Sequence, residues 1–195
     1  MSKKALLVLD VINELVHPEG SVGQDGFCEQ AEKRHILRNI QKVVSHAREH
    51  AIPVYYVIVG FSEDYKEWSP NTKLFREVKS KKQVVLGSWE TQVHETVAPR
   101  EQELIITKHR IDPFYNTSLD LLLKVAGIEE LVLTGVSSEF VVLATVLSAH
   151  DRDMKVTVLE DCISSSDEYS HQCATHIMTK LAELSDSNQF VAIGQ

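Results

Sequence analysis

The run Ala5-Leu6-Leu7-Val8-Leu9 is apolar at every position and stops at Asp10. Without polar alternation, such a run reads as a strand buried on both faces, which is the environment of a parallel sheet. Outward from it, residues 29 to 50 place Ile36, Ile40, Val43, Val44 and Ala47 on one helical face, and Ile52-Pro53 then opens a second strand, Val54 to Val59. Strand, helix and strand make a βαβ unit. The alternation continues with a strand at Leu104 to Thr107, a helix from Ser118 to Ala126 ended by Gly127, and a strand at Leu131 to Thr134. A helix from about Phe140 to Arg152, a strand at Val156 to Leu159, a helix from about Asp167 to Leu184 and a final strand at Phe190 to Ile193 follow. Strands separated by helices require right-handed crossovers, so the expected fold is a three-layer α/β/α sandwich around a six-stranded, mostly parallel, doubly wound sheet.

The 195 residues fit one domain spanning 1–195, with residues 60 to 103 as a long excursion too poor in apolar residues to build its own core. Three cysteines at 28, 162 and 173, without metal-ligand spacing, speak against a disulfide framework and a structural zinc site, and a reduced, cytoplasmic setting is expected. The first apolar run is too short for a signal-peptide core or a membrane span. A net charge of -8 with no long basic run argues against nucleic-acid binding.

Open α/β sheets bind ligands beyond the carboxyl ends of their strands. Four polar places lie there: Asp10, Lys108, the segment Gly135-Val136-Ser137-Ser138-Glu139, and Glu160-Asp161-Cys162. An acid and a lysine meeting at one sheet edge stabilise each other's charge and can move protons. The ordinary alternatives are a turn or cap role for Asp10 and a surface charge for Lys108. The nine histidines show no metal-helix spacing, and Gly20, Gly23 and Gly26 do not have the spacing of a dinucleotide loop, so neither a metal nor a cofactor is indicated.

Three blocks in order, Asp10 to Leu15, Lys108 to Leu119 and Thr134 to Glu139, resemble the signature blocks of the isochorismatase-like (cysteine) hydrolases, together with Gly87-Ser88-Trp89-Glu90 and Glu160-Asp161. The resemblance implies Asp10 as the acid–base group, Lys108 as its charge partner, and a cis peptide between Val136 and Ser137 next to oxyanion-binding amides. It implies a nucleophilic cysteine at position 141, where this chain carries Val141. Nucleophilic catalysis needs a thiol or hydroxyl within reach of its base, which leaves Ser137, Ser138 and Cys162; capping serves the serines and core packing the cysteine as well. Trp89, Phe114 and Ser138 are expected to contact substrate. Two functional readings follow. One is a hydrolase of a small molecule that lacks a covalent cysteine and uses Asp10-assisted attack by water on a vinyl ether or an amide. The other is a catalytically silent binder or assembly subunit. The family resemblance also implies a homo-oligomer, a dimer or larger.

Overall fold

The computed structural model describes residues 3–192. Six strands form one sheet: β1 (Lys4–Leu9), β2 (Val54–Val59), β3 (Leu104–Lys108), β4 (Glu130–Val136), β5 (Lys155–Ser164) and β6 (Glu183–Ser185), in the order β3-β2-β1-β4-β5-β6. Every pairing in it is parallel. The helices are α1 (Asn13–Val16), α2 (Phe27–Lys33), α3 (Ile36–Glu49), α4 (Val78–Lys81), α5 (Leu119–Val125), α6 (Leu143–His150), α7 (Glu168–Met178) and α8 (Ser187–Ala192).

Burial explains why β1 carries no polar residue after Lys4. Ala5, Leu7 and Leu9 face a core shared with Leu119 and Leu123 of α5, Val146 and Ala149 of α6, and Ala174 and Met178 of α7. The intervening Leu6 and Val8 face Ile36, Ile40, Val43, Val44 and Ala47 of α3. The period of two along the strand therefore feeds two cores, one on each side of the sheet. Each fully buried Leu or Val contributes about 1.5–3 kcal/mol. The excursion after β2 does not build a separate core; Phe61, Tyr65, Val78 and Val84 pack with Ile12, Ile58 and Val59 at the carboxyl end of the sheet.

Four expected boundaries move, one being the helix expected from about Asp167 to Leu184, which ends at Met178 and leaves Leu184 in β6. The long helix over residues 29 to 50 is two helices, α2 and α3, joined at His35, which has a positive φ of 56°. The last strand is Glu183–Ser185, and the stretch expected as a strand from Phe190 is the helix α8 as far as Ala192, with Ile193 outside the described residues. Asp186 accepts the amides of Asn188 and Gln189 at 2.8 and 2.9 Å, so the chain turns into a helix there, and Phe190 is buried against the α3 side of the sheet. β5 runs on to Ser164, carrying Glu160 and Asp161 inside it rather than after it. Both carboxylates are paired there, Glu160 by Arg34 and Asp161 by Ser187, which removes the cost of keeping them in a strand.

Candidate active site

The strand order reverses between β1 and β4, which lie side by side with Leu9 opposite Gly135. That switch point is where a crevice opens beyond the sheet. Gly135 sits there at φ 126°, and a Cβ on it would lie 2.0 Å from the Leu9 carbonyl oxygen, so only glycine lets the two strands close. Immediately beyond, Asp10 takes a positive φ of 50° and donates its amide to the Val57 carbonyl at 2.8 Å, while the peptide joining Val136 to Ser137 is cis.

Asp10 and Lys108 meet at this edge from β1 and β3, two strands apart. The Lys108 ammonium donates to Asp10 Oδ2 at 2.7 Å and to the Arg110 carbonyl at 3.0 Å, and the two side chains are only 2% and 6% exposed. Asp10 Oδ1 is buried without a hydrogen-bond partner of ordinary geometry. Burial raises the Asp10 pKa above the usual carboxylate range; the Lys108 charge and hydrogen bond, and the Val59 amide, act against it without cancelling it. A buried carboxyl whose proton affinity is raised by desolvation, with a cation on one oxygen, can exchange a proton.

Both residues line a cavity of about 460 Å³ together with Val136, Ser137 and Val141. Leu15, Phe27, Val59, Phe75, Val84 and Phe140 supply apolar walls, and the exposed Lys73, Arg76, Glu77 and Lys81 come from the excursion. Volume and lining suit a small organic molecule. Val141 is 1% exposed and packs with Val142 and Val146, in the turn Ser138–Val142 that leads into α6. Among the described residues, no group of three His, Cys, Asp or Glu side chains is placed to hold a metal ion.

The structure brings together Asp10, Lys108, Val136, Ser137 and Val141, but places the three expected substrate contacts elsewhere. Trp89 packs edge-on against His17, 40% exposed, outside the cavity lining. Phe114 is buried in the helix-side core, with the Arg152 guanidinium over its ring at 4.4 Å. Ser138 is fully buried and its hydroxyl is 2.8 Å from His171 Nδ1, so it neither faces the cavity nor caps the following turn. Cys162 packs in the opposite core, and burial beside Asp161 pushes its thiol well up, which removes it as a nucleophile. Sequence reasoning missed the walls themselves. Phe75 and Ile111 come from irregular segments and Phe27 from the first turn of α2, and no periodicity records their convergence.

Fold, switch-point cavity and buried Asp–Lys pair define a doubly wound, three-layer α/β scaffold with its site beyond β1, β3 and β4. Residues 4–189 match the Isochorismatase domain, and the chain belongs to that family. It is 28% identical to the ureidoacrylate amidohydrolase RutB of Acinetobacter baylyi, over 96% of this chain and 82% of that protein. The isochorismatase-like hydrolase from Alkaliphilus metalliredigens superposes with a TM-score of 0.81 at 26% identity, covering 100% of both chains. The N-carbamoylsarcosine amidase from Thermoplasma acidophilum shares the fold with a TM-score of 0.74 at 24% identity, covering 95% of this chain and 96% of that one. No described helix is long and apolar enough to cross a membrane.

Proposed function

We propose that this chain hydrolyses a small molecule without a covalent cysteine intermediate, with Asp10 moving the proton and water as the nucleophile. The observation that carries the reading is the buried Asp10–Lys108 pair facing a cavity in which the position three residues into the following turn is Val141. Valine has no lone pair to offer and Ser138 and Cys162 face away from the cavity, so water is the proposed attacking group, with the Ser137 hydroxyl in the cavity lining as the alternative. The raised Asp10 pKa keeps its acid form available, which favours general-acid chemistry. On a vinyl ether, Asp10 gives its proton to the terminal vinyl carbon, water adds to the resulting oxocarbenium carbon, and the hemiketal splits to ketone and alcohol while the released proton returns to Asp10. On an amide, the ionised Asp10 takes a proton from water as it attacks the carbonyl and passes one to the departing amine. The backbone around the cis Val136–Ser137 peptide is proposed to bind the developing oxyanion, and Lys108 to set the charge of Asp10.

A silent binder is the second reading, favoured by the burial of Val141 in the core, where it packs rather than reacts. The test is a screen of vinyl ethers and small amides with the wild-type chain and Asp10→Asn. Turnover abolished by the substitution supports the hydrolase; ligand-induced thermal stabilisation without turnover in the wild type overturns it in favour of the binder. Self-association is proposed through the exposed Leu121 and Val125 of α5 and Leu147 of α6, with Asp120 of α5 paired at 3.3 Å to Arg152 just beyond the end of α6.

A further inference from the structure

Behind the cavity wall, Ser138 is tied into a chain of polar groups that the reaction scheme above does not use. Its hydroxyl lies 2.8 Å from His171 Nδ1, and His171 Nε2 lies 2.9 Å from Glu160 Oε1. The Arg34 guanidinium bonds the same carboxylate oxygen at 2.5 Å, and also donates to the carbonyls of Glu160 and Ile163 at 3.1 Å. Ser138 is fully buried and His171 is 3% exposed, so water does not compete for either group.

The direction of each bond follows from charge. Glu160 is held at about 2, first by its hydrogen bond with His171 and further by the Arg34 charge, against the opposing effect of burial. It is therefore an ionised acceptor at neutral pH, and His171 presents its Nε2–H to it. In neutral imidazole that leaves Nδ1 as an acceptor, and the Ser138 hydroxyl donates to it. The residue types are those of a serine–histidine–acid triad, but the hydroxyl points to α7 and away from the cavity, whereas its neighbours Val136 and Ser137 line that cavity. The far end of the chain reaches a second element of the cavity lining. Arg34 directly follows α2, whose Phe27 also lines the cavity.

We infer that Ser138, His171 and Glu160 are a positioning relay: they hold the Val136–Ser137 backbone in place against the cavity and, through Arg34, register it with the α2 wall. The inference rests on the proposed role of that backbone in facing substrate. A hydroxyl fixed at a single buried nitrogen sets the position of the residue immediately after the cis peptide, and the acid behind the imidazole fixes its tautomer.

Hydrogen–deuterium exchange and hydrolysis kinetics on S138A, S138T and H171Q test it. Exchange across residues 137–142 is expected to rise tenfold or more in S138A and H171Q, to stay near wild type in S138T, and to remain unchanged in α3. In the double variant S138A/H171Q the effect equals that of either single change, because one relay is broken once. For any compound the wild type turns over, kcat falls at least tenfold in S138A with KM unchanged, and S138T restores it. Unchanged exchange and kcat in a folded S138A overturn the relay, as does labelling of Ser138 in the wild type by a fluorophosphonate, which would make it a nucleophile. If H171Q does not fold, the S138A and S138T pair decides alone. A wild type that turns over nothing in the screen removes the hydrolase reading, while the exchange measurement still decides the relay.

Discussion

Replacing Val141 by cysteine asks whether the Asp10–Lys108 pair would activate a thiol at the position where the family resemblance implies one. V141C exchanges two methyl groups for one sulfur, a net loss of about one methyl in a site that is 1% exposed. That costs about 1 kcal/mol, which for a chain of this size lowers the Tm by about 2–4 °C. The electrostatic effect is larger. Lys108 borders the same cavity as position 141, and burial of its partner Asp10 disfavours that carboxyl's charged form. A unit charge about 4 Å from a thiolate at an effective dielectric of about 20 is worth about 4 kcal/mol. Even if burial of the thiolate removes most of this, a remaining ~1.4 kcal/mol lowers the thiol pKa by one unit and speeds alkylation about tenfold at pH 7. The assay is iodoacetamide labelling followed by peptide mapping in a C173S background, since Cys173 is the exposed native cysteine. Cys28 is half-buried with its thiol pushed up by burial, and Cys162 is sealed in the core, so both label slowly. The introduced thiol should react about tenfold faster than Cys173 does in the wild type, and K108M should remove the advantage. Labelling no faster than Cys173 in a V141C chain whose Tm falls by only a few degrees would refute activation of a thiol at this position by the Asp10–Lys108 pair.

Three further outcomes are expected. If Asp10 acts as an acid, turnover is full at low pH and falls as pH rises through its raised pKa; K108M removes the opposing charge, raises that pKa further and moves the fall to higher pH, whereas a profile that rises with pH assigns Asp10 as a base. Glu160 has a folded pKa depressed to about 2 from 4.5, so its contribution to stability is present above pH 4.5 and is lost as pH falls toward 2. E160Q should flatten that part of an acid-denaturation curve followed by circular dichroism, and an unchanged curve would remove the charge-based account of the Arg34–Glu160–His171 cluster. Charge placed on the exposed α5 surface by L121E and V125E should shift light-scattering mass toward the monomer, and a wild type already monomeric at high concentration would exclude self-association through that face.

Much of the scaffold was legible because one physical signal dominates it. Uninterrupted apolar runs such as Ala5 to Leu9 and Val54 to Val59 occur where helices cover both sides of a parallel sheet, and the residue ending each run sits by construction at the sheet's carboxyl edge. Asp10 and Lys108 were visible for that reason, although nothing in their separation of 98 positions announces a 2.7 Å contact. The signal fails for short segments. Phe190-Val191-Ala192 reads equally as strand or helix, and the Asp186 cap rather than apolar content resolves it. It fails also for Glu160 and Asp161, whose place inside β5 depends on Arg34 and Ser187 reaching them from other parts of the chain.

The sequence by itself determined the layers, the order of the strands' chemistry and the absence of a thiol at position 141, because periodicity and residue identity are local properties. Only the tertiary structure decided what those residues do. It closed β1 on β4 at Gly135, drew Asp10 and Lys108 out of water together, turned Ser138 away from the cavity toward His171, and moved Trp89 and Phe114 out of the site. Burial, which shifts a carboxyl's proton affinity and decides whether a hydroxyl meets substrate or imidazole, depends on groups distant along the chain.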